Sequence, residues 1–174
     1  MRQETADLLR EMGTTTVVVT HDPDEAMHIG DRVALLRAGR LVQCDCPERL
    51  YTHPATLFAA RFFSEVNEFP GTCRQGCLQT IAGDFPAPHL QEGAAGVACV
   101  RPQHVRLARA GEGVAARLAG SAFLGEMERL VLDLPGLDRQ VTLRTCARTQ
   151  LSPGALVHVA VHPQHAIVLS SDEA

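Results

Sequence analysis

Apolar and polar positions follow two regimes along this chain. In the first third, apolar residues recur at helical spacing or form short continuous runs; later they sit in brief stretches broken by Gly and Pro. Ala6, Leu9 and Met12, with Leu8 beside them, predict a helix that Gly13 ends. Thr14–Thr20 (TTTVVVT) predicts a strand, and its apolar centre, Val17–Val19, suits burial on both faces, as in a parallel sheet. Asp22 then caps a helix, Pro23 fits its first turn, Asp24 and Glu25 favour its positive end, and Gly30 closes it. Asp31–Leu36 and Leu41–Cys44 read as strands joined by a turn at Gly39. Pro47 opens a short helix to about His53, and Pro54 separates it from another near Thr56–Phe63.

The character changes across Ser64–Pro70. Strands are predicted at Gly71–Cys73, Cys77–Ala82, Gly96–Val100, Val105–Ala108, Gly113–Leu124, Met127–Leu134, Val141–Thr145, Leu156–Ala160 and Ala166–Leu169. Turn residues punctuate them at Ala82-Gly83-Asp84, Leu134-Pro135-Gly136, Ser152-Pro153-Gly154 and His162-Pro163. The expected fold is therefore an α/β segment, residues 1–65, followed by an all-β domain, residues 66–174, built as a small barrel or sandwich. The first segment is incomplete as it stands. One helix, one buried strand and a hairpin cannot cover both faces of a parallel strand or pair its edges, so residues 1–65 read as the tail of a larger domain.

Composition narrows the function. The chain has 174 residues, 45% hydrophobic and 21% charged, which suits a folded domain. All sixteen basic residues are Arg, and the net charge is −4. That balance, with one Tyr and no Trp, argues against a nucleic-acid partner, which needs basic faces and stacking platforms. No apolar run is long enough to span a bilayer, and the N-terminus carries no apolar signal core, so a cytoplasmic setting is expected.

His21 is the first candidate for chemistry. It follows a strand, and the carboxyl ends of strands in open α/β sheets collect ligands. An imidazole there can donate to a phosphate oxygen or orient a water; it can equally bond only nearby backbone. Arg101-Pro102-Gln103-His104 is the second, either a regulatory ligand site or a structural tie within the barrel. Cys44-x-Cys46 and Cys73-x₃-Cys77 fit structural zinc spacings poorly and read as ordinary thiols, as do Cys99 and Cys146. His158, His162 and His165 read as surface or turn histidines, and no metal site is expected.

The stretch VVVTHDPDEAMHIGDRVALLRAGRLVQ resembles the terminal portion of the ATP-binding subunit of ABC transporters, with His21 in the place of the family's switch histidine. CPERLYTHPATLFAARFFSEVN resembles the helices that close the ATPase domain in importers. Val100–Val105 and the strands after Gly113 resemble their appended regulatory oligosaccharide-binding-like (TOBE) domain. The resemblance implies that the complete subunit hydrolyses ATP with Mg²⁺ and that His21 meets the γ-phosphate and the attacking water. It also implies that Phe123–Met127 packs near a second copy, and that the partners are that copy and the permease, on the inner face of the cytoplasmic membrane.

The family's phosphate loop, Gln loop, signature sequence and catalytic Glu precede its switch histidine, and none of them occurs in these residues. A sequence without Lys cannot supply the phosphate-loop lysine. ATP hydrolysis by this chain alone is therefore not expected. Asn67–Gly71 and Thr80–Pro88 resemble the ferric-iron, spermidine/putrescine and sulfate importers, with ferric iron favoured. The alternatives are an independent small-anion or solute-sensing β-domain, and, less well supported, a nucleic-acid-binding module.

Overall fold

A computed structural model describes residue 13 and residues 15–171. The helix expected from Ala6, Leu9 and Met12 lies outside the described residues. The chain divides into two compact units, Met1–Ser64 and Glu65–Ala174.

In the first unit, α1 (Pro23–Ile29) is followed by an antiparallel hairpin, β1 (Val33–Arg37) and β2 (Arg40–Asp45), and by α2 (Pro47–Thr52) and α3 (Leu57–Phe63). Local chemistry sets each boundary. Asp22 caps α1 by accepting from the amides of Asp24 (2.9 Å) and Glu25 (3.2 Å). Thr56 caps α3 through the Ala59 amide (3.1 Å). Between α2 and α3, the Gln43 side chain accepts from the Ala55 amide (2.7 Å) and donates to the His53 carbonyl (3.0 Å), bracing the bend at Pro54 from β2. Leu35, Leu50, Ala59 and Phe63 form the core, and Met27 fastens α1 to it.

The strand expected at Thr14–Thr20 is not formed across the described residues 15–20, which join no ladder. Val17 and Val19 are 88% and 94% exposed. The reason is physical: a strand needs hydrogen-bonding neighbours, and this segment pairs with neither strand of the only hairpin described in its unit.

The second unit holds ten strands in two antiparallel five-stranded sheets. One has the order β12-β6-β3-β4-β5 and the other β10-β9-β8-β11-β7, and together they curl into a partly open, OB-like half-barrel. The strands are β3 (Asn67–Arg74), β4 (Cys77–Thr80), β5 (Gly83–Pro86), β6 (Ala95–Val100) and β7 (Val105–Ala108). They continue with β8 (Val114–Phe123), β9 (Glu128–Asp133), β10 (Val141–Thr145), β11 (Leu156–Val161) and β12 (Ala166–Ser170). Phe69, Phe85, Leu118, Leu130 and Leu143 are buried in the core between the sheets.

Two differences from the expected strands have identifiable causes. β3 begins at Asn67 and runs through Pro70, because Pro70 pairs only with Val97 and the ladder to β4 starts one residue later, at Gly71. A Cβ at Gly71 would collide with the Gln79 carbonyl, so that crossing demands glycine. Of the Ala82-Gly83-Asp84 turn signal, Ala82 lies in the reversal, at Ile81-Ala82, while Gly83 and Asp84 open β5. The β3–β4 reversal is a two-residue turn in which Gln75 and Gly76 both have positive φ (52° and 75°), the primed geometry that matches strand twist.

Candidate functional site

His21 is exposed and stands in the bend between residues 15–20 and α1. Its position is held from both sides. The Asp22 amide donates to Thr20 Oγ1 (3.1 Å), and the Asp22 side chain caps the helix. The imidazole thus projects from a short connection rather than from a formed sheet edge.

Arg101 and His104 lie in the second unit, at the two ends of a 3-10 turn (Pro102–His104) that carries the chain from β6 in one sheet to β7 in the other. Arg101 is buried, at 3% exposure, and its carbonyl accepts from the His104 amide (2.9 Å). A second 3-10 turn, Pro163–His165, carries the chain back from β11 to β12. There the His162 carbonyl accepts from the His165 amide (2.9 Å). The two turns meet face to face: the His104 and His165 rings stack with centroids 4.1 Å apart and planes 5° from parallel. His162 approaches His165 edge-on at 6.0 Å. Burial pushes the His104 pKa below the ordinary imidazole value, and the neighbouring His165 and Arg101 add to that shift.

Arg101 and His104 are neighbours in sequence, whereas His162 and His165, expected as surface or turn histidines, join them only in the fold. The overlooked signal is a repeat: Val100-Arg-Pro-Gln-His104 and Val161-His-Pro-Gln-His165 share four of five residues. Among the described residues, no three His, Cys, Asp or Glu side chains gather as a metal site. All six cysteines are free, with Cys73 and Cys99 buried. Cys44 receives a long contact from Arg32 Nη2, at 3.8 Å.

A family model described as the TOBE domain matches residues 98–169, from within β6 to the end of the core part of β12. The chain is 35% identical over 170 residues to a ferric-ion import ATP-binding protein of Streptomyces avermitilis, covering 95% of this chain and 48% of that protein. It is 34% identical to a sulfate/thiosulfate import ATP-binding protein of Chromobacterium violaceum, covering 91% of this chain and 46% of that one. A spermidine/putrescine import ATP-binding protein of Rubrobacter xylanophilus is also 34% identical, with 97% and 48% covered. These alignments run through both units. The chain belongs to the ATP-binding subunits of ABC importers.

It spans about half the length of the curated relatives it matches. Within that half, the chain carries a TOBE domain and no phosphate-loop sequence. Its residues do not make a triphosphate site: one exposed imidazole cannot balance a triphosphate's charge, and no lysine or glycine-rich cradle accompanies it. No helix among the described residues is long and apolar enough to cross a membrane.

Proposed function

We propose that this chain forms the C-terminal part of the subunit that hydrolyses ATP to drive solute import across the cytoplasmic membrane. Residues 1–65 are the end of its ATPase domain, and residues 66–174 are its regulatory TOBE domain. The observation that carries the reading is the bare apolar segment Val17–Val19 immediately before His21. A contiguous exposed valine run of this kind suits burial under further strands, and the alignment to relatives about twice as long supports an ATPase sheet as that cover.

In the complete subunit, those strands bury Val17–Val19 and bring His21 to their carboxyl ends. There His21 contacts the terminal phosphate and holds the attacking water, while Mg²⁺ and the phosphate-gripping groups come from the other half of the subunit. Positioning and charge neutralisation supply most of the rate in phosphoryl transfer, which suits a histidine acting as an orienting contact. The subunit works as a pair with a second copy, on the cytoplasmic face of the membrane, beside its permease. Ferric iron is the transported solute in this reading, supported by the ferric-ion relative.

Titration calorimetry tests the division of labour. Mg-ATP added to the 174-residue chain should give no binding heat. A chimera joining the N-terminal half of the Streptomyces avermitilis relative to this chain should bind it. Stoichiometric ATP binding by the chain alone would overturn the proposal. The solute is tested in cells where the chimera replaces an iron importer's own ATP-binding subunit: labelled ferric iron uptake is expected, and its absence contradicts the assignment of iron.

A further inference from the structure

The two Pro-Gln-His turns are related by more than sequence. β6 and β12 pair with Val100 opposite Ala166, and β7 and β11 pair with Val105 opposite Val161. Exchanging the two repeats, so that Val100 takes the place of Val161 and Val105 that of Ala166, converts the first pairing into the second. The same exchange converts Ala98↔Val168 into Val159↔Leu107. The half-barrel therefore contains a local pseudo-twofold, in which two strand–turn–strand units each pass from one sheet to the other in opposite directions. His104 and His165 are equivalent residues of the two repeats, and they stack on each other where the crossings meet.

We propose that the His104–His165 stack is a proton-operated latch on the paired crossovers, closed when the imidazoles are neutral and opened when both are charged. Neutral imidazoles stack favourably, whereas two imidazolium ions with centroids 4.1 Å apart repel. The surroundings offer the extra charge little relief. Arg101 is buried on the first turn, Arg106 lies on β7, and His158 lies on β11. β10, which packs against the first turn, carries Arg144, whose guanidinium is engaged by Glu65 at 3.0 Å. β5, which packs against the second turn, carries the exposed carboxylate Asp84. His162 is a third imidazole at this crossing, edge-on to His165. Gln164 Nε2 donates to His165 Nε2 (3.3 Å), a contact that protonation of that nitrogen removes.

The sign follows from the low pKa of His104, which burial causes first. The unfolded chain takes up a proton near the ordinary value of 6.5 while the folded chain resists it. The latch's contribution is thus complete at neutral pH and declines as pH falls below that value. This behaviour is independent of ATP and of the importer assignment.

The direct test is nuclear magnetic resonance on the unaltered 174-residue chain. Cross-relaxation between the His104 and His165 ring protons should be present at pH 8 and lost at pH 5, with the β6–β12 amides still protected from exchange. Cross-relaxation that persists unchanged through the titration of both rings would overturn the latch. Urea unfolding of His165→Phe and His165→Gln gives the second arm. Lowering the pH from 7.5 to 5.5 should raise the unfolding constant of the native chain more than that of either variant, by a further factor on the order of three. Equal responses in the native chain and the variants would also overturn it.

Discussion

Asn67 and Thr142 exchange two hydrogen bonds, each 2.7 Å long: the Asn67 amide donates to the Thr142 carbonyl and accepts from the Thr142 amide. A side chain thereby completes a strand-like pairing between β3 in one sheet and β10 in the other. Both residues are buried, so no water replaces either bond.

Replacing Asn67 by Ala should therefore cost about 2–4 kcal/mol, because it leaves one buried donor and one buried acceptor unpaired. Asn67→Asp should also destabilise, since the carboxylate turns an oxygen toward the Thr142 carbonyl. Urea denaturation of the two variants checks this, and stability loss below about 0.5 kcal/mol would mean the clamp is not needed.

Glu65 holds two cations. Its carboxylate oxygens contact Arg129 at 3.2 Å and Arg144 at 3.0 Å, and those arginines face each other across the β9–β10 ladder. Glu65→Gln should leave a like-charged cross-strand pair and destabilise by about 1 kcal/mol, since the groups are partly exposed. The loss should shrink as salt rises from low ionic strength to about 0.5 M, where the Debye length is only a few ångströms. A salt-independent loss would point to packing instead.

Val17 and Val19 give opposite expectations in two settings. In the 174-residue chain, Val17→Asp with Val19→Asp should change thermal stability by less than about 0.5 kcal/mol, because both side chains are exposed. In the chimera with a relative's N-terminal half, the same changes would bury two unpaired charges and should abolish soluble, folded protein. Indifference in both settings would remove the argument that these residues form an inner strand.

Much of this architecture was readable from local pattern. Short strands bounded by Gly and Pro, the Asp22 and Pro23 start of α1 and the Gly76 turn each depend on residues close in sequence, so spacing alone carries the information. What escaped depends on distant partners. Val17–Val19 reads as a buried strand from composition, yet no described neighbour provides its ladder. Asn67 looks like a linker residue until β10 is folded beside it. Pro70 looks like a strand breaker, since only the third dimension shows that β4 stops short of it. At the sites, Arg101 and His104 were visible as a local cluster, while His165 required recognising a distant repeat of Pro-Gln-His. His21 was singled out by its place after an apolar run, which is a property of sequence; its partners lie in no part of the described fold.

The central claim is that His21 serves phosphate chemistry once the rest of an ATPase domain surrounds it. The most direct measurement is steady-state ATP hydrolysis by the chimera, with His21 intact and with His21→Ala. Turnover should fall at least about 100-fold while ATP still binds, as expected when a water-positioning group is removed but the phosphate grip is left in place. Unchanged turnover in the His21→Ala protein would contradict it.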